Sequence, residues 1–337
     1  MMIRLATRYY CRPFTRPLQT AHGLWTQREG LILRFQTEAG QVGFGEIAPI
    51  PWFGTETLAQ AQQLCDRWPK ELSLATFLSE LASIPATWPA SQFGFGAGIN
   101  SFRNQPSDRA EIDQSIERLS AADICALLPT GPQALEHWER LWQQGHRTFK
   151  WKIGVTDAAA ELDIFQSLCV ALPTTATLRL DANGGLTAAT ATTWLQTCDR
   201  APIHVEFIEQ PLAPDQVLSW LGKIGDQFHT AIALDESVAS FPQLQAIHQQ
   251  WGNRVVYVIK PAIAGRPQPL LAYCQHHQLD VVFSSALETP IGRHSVFQMA
   301  KTLWQGGLSR RALGFGIDHF FADDWQQLEV ATLWEQL

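Results

Sequence analysis

Lys150 and Lys152 stand two apart in the apolar run FKWKIG, residues 149–154. Side chains along a strand alternate faces, so the two ammonium groups project from one face. The chain holds six lysines against nineteen arginines, so this pairing departs from its own habit. Lysine can release its proton near neutrality when its surroundings lower its pKa, and arginine keeps its charge. Burial and a neighbouring ammonium both act in that direction. On this reading Lys150 keeps the pKa of Lys152 low, and Lys152 is a candidate general base.

Polar residues recur at the ends of further apolar runs. Taking one from each gives Lys152, Asp181, Glu209, Asp235, Lys260 and Ser285, at spacings of 29, 28, 26, 25 and 25 residues. Asp181, Glu209 and Asp235 come from three successive runs. Clustered carboxylates repel unless a cation lies among them, and an all-oxygen set favours a hard divalent ion. Mg²⁺ is the expected ion, with Mn²⁺ as the alternative. Lys260 follows the triad as Lys150 and Lys152 precede it. A metal with lysines on two sides suits removal of a proton next to a carboxylate, where both stabilise the enediolate.

The elements that must position these groups follow from the same period. Each interval holds one strand, one helix and two loops. Eight short apolar strands alternating with helices, beginning near residue 120, point to a parallel (β/α) barrel, and barrel active sites sit at the carboxyl ends of the strands. Strands two and six of such a ring face each other, which sets Lys152 against Lys260. The first hundred residues read as an α+β unit, with strands in 30–49 joined by a turn at Glu38-Ala39-Gly40 and helices near 55–83. We expect an N-terminal capping domain over 1–105, a barrel over 106–319 and a segment 320–337 packing back on the capping domain.

Composition narrows the partners. A net charge of -7 argues against nucleic acid or an anionic membrane. The six cysteines are scattered without metal spacing, as expected of buried reduced thiols. The start MMIRLATRYYCRPF has no pattern of a secretory signal, and no apolar run approaches a membrane span. A cytoplasmic location is expected. The run FGFGAG at 93–98 places Ile99 where a dinucleotide fingerprint needs its third glycine. The ten histidines show no zinc spacing. Trp25 and Trp52 are expected either to line the pocket or to pack in the core.

The strings KWK, DANGG, IEQP, DES, IKP and SSALETPIG resemble the motifs of the enolase superfamily, muconate-lactonizing subgroup, over nearly the whole chain. A Lys or His base acting with Mg²⁺ is the design known for sites of that superfamily. Within the subgroup, GEIAPIPWFGTET (45–57) and RLDANGG, with Arg179 two before the acid, resemble the o-succinylbenzoate synthase family. Ile50 and Trp52 depart from that family's pattern, which has leucine and commonly glycine there. The resemblance implies a modified TIM barrel with a capping domain completed by the C-terminal tail. It also implies an Mg²⁺-dependent lyase that dehydrates 2-succinyl-6-hydroxy-2,4-cyclohexadiene-1-carboxylate (SHCHC) in menaquinone or phylloquinone biosynthesis. Lys152 and Lys260 are then catalytic, and Lys150, Arg179, Asn183, Ser285 and Gly316 contact a small carboxylate substrate. N-acylamino acid racemase, dipeptide epimerase and muconate cycloisomerase share this lysine and acid set; a silent metal-binding barrel would have no use for a low-pKa lysine. GIDHFF, residues 316–321, lacks the Asp-x-Asp of dipeptide epimerases.

Overall fold

The computed structural model describes residues 1–20, 23–103 and 119–337. The expected boundary between residues 105 and 106 lies outside them. Two sheets organise the described chain. The first is antiparallel, in the order β3-β2-β1-β4, with β1 Met2–Thr20, β2 Gly23–Thr37, β3 Val42–Ile47 and β4 Glu71–Ser73. Thr37 accepts from the Gln41 amide and Gly40 takes φ +81°, which closes the β2–β3 turn where the sequence places it.

The helix Pro89–Arg103 covers this sheet, and it absorbs the glycine-rich run. A Cβ on Gly98 would meet the Phe35 ring, and one on Gly45 would meet the Gly94 carbonyl. The glycines let helix and sheet approach closely.

The second sheet is parallel and follows chain order: β5 Ala126–Leu127, β6 Thr148–Lys152, β7 Thr177–Asp181, β8 His204–Glu209, β9 Ala231–Leu234, β10 Val256–Ile259 and β11 Val281–Phe283. The stretch around Leu313 and Gly314 completes the ring. Parallel bridges join Ile124 to Leu313 and Ser284 to Gly314. The Cys125 amide donates to Leu313 O at 2.8 Å, and the Ser285 amide to Gly314 O at 3.0 Å. Phe207, Ala233, Val256, Val258 and Val282 form one apolar cluster contributed by four neighbouring strands. Leu178, Leu180, Trp151 and Trp194 belong to the larger core, which packs strands against helices.

The C-terminal stretch runs back to the antiparallel sheet. Arg12 donates twice to the Asp323 carboxylate, at 2.8 Å each, and Leu333 and Trp334 join Tyr10, Ile32 and Phe44 in one cluster. Five cysteines are buried, and Cys11 is exposed, contrary to the expectation that all six are buried. Among the described residues no helix is long and apolar enough to cross a membrane.

Candidate active site

The marked residues gather at one rim. Lys152, Asp181 and Glu209 are the last residues of β6, β7 and β8; Asp235 and Lys260 follow β9 and β10 directly, and Ser285 comes two after β11. Lys152 pairs in register with Asp181, and Asp181 with Glu209. A cavity of about 940 Å³ opens over this rim, lined among others by Phe53, Lys150, Lys152, Asp181, Asp235 and Lys260.

Ion pairs order the floor. Lys150 Nζ lies 2.6 Å from Asp181 Oδ2 and 2.7 Å from Glu209 Oε1. Burial, the largest influence, pulls the Lys150 pKa down, but Asp181 and Glu209 overcome it and hold it well above the usual value. Its charge is compensated on the spot. Lys150 is thus seated between two of the expected metal ligands. Lys260 Nζ pairs with Asp235 and lies 4.6 Å from the Phe53 ring centroid. Lys152 lines the cavity, and no ion pair is found for it among the described residues.

The acids at this rim outnumber its lysines. Burial first, then the negative charge of Asp181, pushes the Glu209 carboxyl up to about 8. Burial and Asp235 push Glu236 up to about 7. Four carboxyl groups (Asp181, Glu209, Asp235, Glu236) crowd one rim, and the upward shifts of Glu209 and Glu236 record their mutual repulsion as well as burial. Among the described residues, no three histidine, cysteine or acidic side chains are arranged to hold an ion as they stand, and ammonium groups lie against the acid oxygens instead. The donor set, carboxyl oxygens pressed together from three successive strand ends, fits a hard divalent cation.

The remaining candidates separate. Asn183 lines the cavity at φ +41°, and its amide donates to Glu236 Oε1 at 3.2 Å. Ser285 lines the cavity too, but its hydroxyl donates to Glu288 Oε2 at 2.8 Å and accepts from the Leu287 amide at 2.8 Å. It is engaged in its own turn. Gly316 lines the cavity against β5, where a Cβ would meet the Cys125 carbonyl.

Arg179 does not reach the cavity. It points to the same face as Asp181 but one layer deeper, is 2% exposed, and pairs with Glu206 at 2.6 Å while donating to Ala312 O at 2.8 Å. Arg311 joins the same Glu206 and also Asp280. The expectation that Arg179 contacts substrate is corrected: its guanidinium is buried below the rim, where Glu206 and Ala312 O take Nε and Nη1 and Nη2 has no partner among the described residues.

Sequence reasoning passed over three residues within strings it had singled out. Glu236 sits in DES beside Asp235. Gln210 sits in IEQP: its Nε2 donates to Leu212 O and Ser237 Oγ, both at 2.9 Å, and its Oε1 accepts from the Asp235 and Ser237 amides at 3.2 Å. Phe53 sits in IPWFGTET. Trp25 and Trp52 are not among the cavity-lining residues; they pack edge to face at 5.0 Å beside Phe53.

Comparison with known proteins places this arrangement. Residues 133–326 match the family described as "Enolase C-terminal domain-like", and residues 4–100 the family described as "MenC, N-terminal domain". The chain is 40% identical to the o-succinylbenzoate synthase of Thermosynechococcus vestitus over 99% of both chains. It is 28% identical to that of Pasteurella multocida, over 89% of this chain and 86% of the other. A crystal structure of o-succinylbenzoate synthase from Thermosynechococcus elongatus, complexed with Mg in the active site, superposes with a TM-score of 0.83 at 39% identity, covering 99% of this chain and 100% of that one. The L-Ala-D/L-Glu epimerase of Bacillus subtilis superposes with a TM-score of 0.71 at 22% identity, covering 96% and 92%; this likeness shows the fold.

Proposed function

The chain belongs to the enolase superfamily and, within it, to the o-succinylbenzoate synthase family; from that membership we propose that it dehydrates SHCHC to 2-succinylbenzoate. The observation that carries the reading is a free lysine, Lys152, and a paired lysine, Lys260, on opposed strands of one ring, with three strand-end acids between them. Mg²⁺, or Mn²⁺ in its place, would be held by Asp181, Glu209 and Asp235, and when bound it supplies Lewis-acid charge for the carboxylate of the substrate.

The chain's own residues do the proton work. Lys152 must start as the free amine, and it takes the proton from the ring carbon that bears the carboxylate. The electron pair of that C–H bond passes into the carboxylate as an enediolate. Lys260 stays an ammonium beside Asp235 and offsets the developing charge. The electron pair then returns to the ring and expels the hydroxyl of the neighbouring carbon, which Lys152, now protonated, protonates as it leaves. Water departs and the ring becomes aromatic. One lysine serves both transfers because the two leaving groups share a face. Asn183, Gly316 and the turn at Ser285 would line the substrate. Asp318, the acid of GIDHFF, is paired with Arg293, which weighs against its holding a dipeptide ammonium.

The domain limits 1–105, 106–319 and 320–337, a cytoplasmic location and a place in menaquinone or phylloquinone synthesis are part of the same proposal. Mixing the purified protein with SHCHC and Mg²⁺ should remove the conjugated diene absorbance. Exhaustive chelation should abolish that change and Mg²⁺ restore it; undiminished activity after chelation would refute the metal role.

A further inference from the structure

We propose that Phe53 is a positioning residue for Lys260, so that the capping sheet fixes the ammonium opposite the base. The proposal rests on the role given to Lys260 above. Lys260 Nζ faces the Phe53 ring at 4.6 Å from its centroid, and both residues line the cavity. The face of an aromatic ring is electron-rich and attracts a cation. Lysine hangs on a flexible four-carbon stem with much rotamer freedom. Its other anchor is Asp235, which is also a proposed ligand of the ion. Once the oxygens of Asp235 turn to a cation, the ring is the contact that keeps Lys260 in place.

The turn that carries Phe53 is built to be still. Pro51 opens it, the Phe53 amide donates to Ile50 O at 2.8 Å, and Gly54 at φ +86° returns its amide to Pro51 O at 3.0 Å. The buried Ile50 has its amide on Thr55 Oγ1 at 2.8 Å. Glu56 is 3% exposed and accepts from the Ala90 and Ser91 amides at the start of the helix Pro89–Arg103. On the barrel side, buried Arg28 donates to Pro49 O at 2.8 Å and to Ala286 O at 3.1 Å. A side chain on so fixed a turn can hold a partner; one on a loose lid could not.

A double-mutant cycle tests this. Phe53→Leu should lower kcat roughly two- to thirtyfold with KM within about threefold, the range expected of a cation–π contact from exposed to desolvated. Phe53→Tyr keeps the ring face and should stay near wild type. In a Lys260→Met background, Phe53→Leu should cost nothing further in kcat. A higher KM with unchanged kcat, or losses that multiply in the double variant, would overturn the proposal and leave Phe53 as a pocket wall. The same four proteins compared by urea unfolding read the contact without substrate: the midpoint losses of the single variants should not add. A wild-type protein inactive on SHCHC would sink the functional reading, and the unfolding cycle would still decide this one.

Discussion

Arginine and lysine carry the same charge, but only lysine can act as a base at residue 152. Lys152→Arg should therefore be nearly as damaging as Lys152→Ala, with kcat lowered about 10²–10⁴-fold in both, the scale of general acid–base catalysis. A Lys152→Arg enzyme with near-wild-type kcat would refute the base assignment. Lys150, two residues away, sits between Asp181 and Glu209. Arg179 shows how depth along a strand changes a role. Glu206 has its pKa held below the usual range, since Arg179 and Arg311 outweigh the upward push of burial. Removing one partner of a buried pair strands the other charge. Arg179→Ala should cost about 3 kcal/mol in urea unfolding, while KM for SHCHC in the folded fraction stays within about threefold. A tenfold rise in KM without loss of stability would return Arg179 to the substrate site.

At the scale of elements, loops after the strands carry the tuning. Glu288, in the turn after β11, is 1% exposed; one carboxylate oxygen accepts from Ser285 Oγ and the Ala286 amide, and the other has no partner. Burial first, and then the charge of Glu46, raises its carboxyl from 4.5 to about 7. The folded protein thus holds this proton more tightly than the unfolded chain. The contribution to stability is fully present below 4.5 and is lost as pH rises through 7. Glu288→Gln keeps the shape without the titration, so its stability relative to wild type should rise by roughly 3 kcal/mol between pH 4.5 and 8. A difference independent of pH would show that Glu288 does not titrate there. Gln210 links the loops after β8 and β9, and the Gly184 amide donates to its carbonyl at 2.7 Å. Groups that orient metal ligands are commonly worth 10–100-fold in affinity. Gln210→Ala should weaken Mg²⁺ binding by that order in calorimetry; unchanged affinity would remove it from the site. These loops also mark where sequence reading stops. Strand ends from β6 to β11 were legible because each polar residue closes an apolar run at a regular interval. The eighth strand of the barrel pairs through isolated bridges, so pattern alone could place it but not show how it closes. β1 hid its 19 residues behind interspersed arginines. The partners of two of them, Trp334 O for Arg8 and Asp323 for Arg12, lie some three hundred residues away in the chain. The acids were legible by type and period, whereas the pairing of Lys150 and the depth of Arg179 depend on neighbours that only the closed ring brings together.

The whole molecule depends on a joint between its two sheets, because a site lined by Phe53 from one and Lys260 from the other works only if they stay docked. Glu46, at the end of β3, is the hinge pin. It is 1% exposed, accepts from Tyr10 OH at 2.5 Å within its own sheet, and reaches across to the Thr289 amide at 2.9 Å and the Gly292 amide at 3.0 Å. Those amides open the helix Pro290–Gln305, whose positive end favours a carboxylate. Arg28 makes the reciprocal tie from β2 to Ala286 O. Glu46→Ala would leave two buried hydroxyls, of Tyr10 and Thr289, and two helix amides without this acceptor, at a cost of about 3–5 kcal/mol. Loosened docking should also free the Phe53 turn, so kcat should fall in the folded fraction along with the urea midpoint. Glu46→Gln retains one acceptor oxygen but turns a donor toward those amides, and is expected to fall between. If Glu46→Ala unfolded at the wild-type midpoint and kept wild-type kcat, the two sheets would be held together by their apolar contacts alone, and the polar joint would have no part in completing the site.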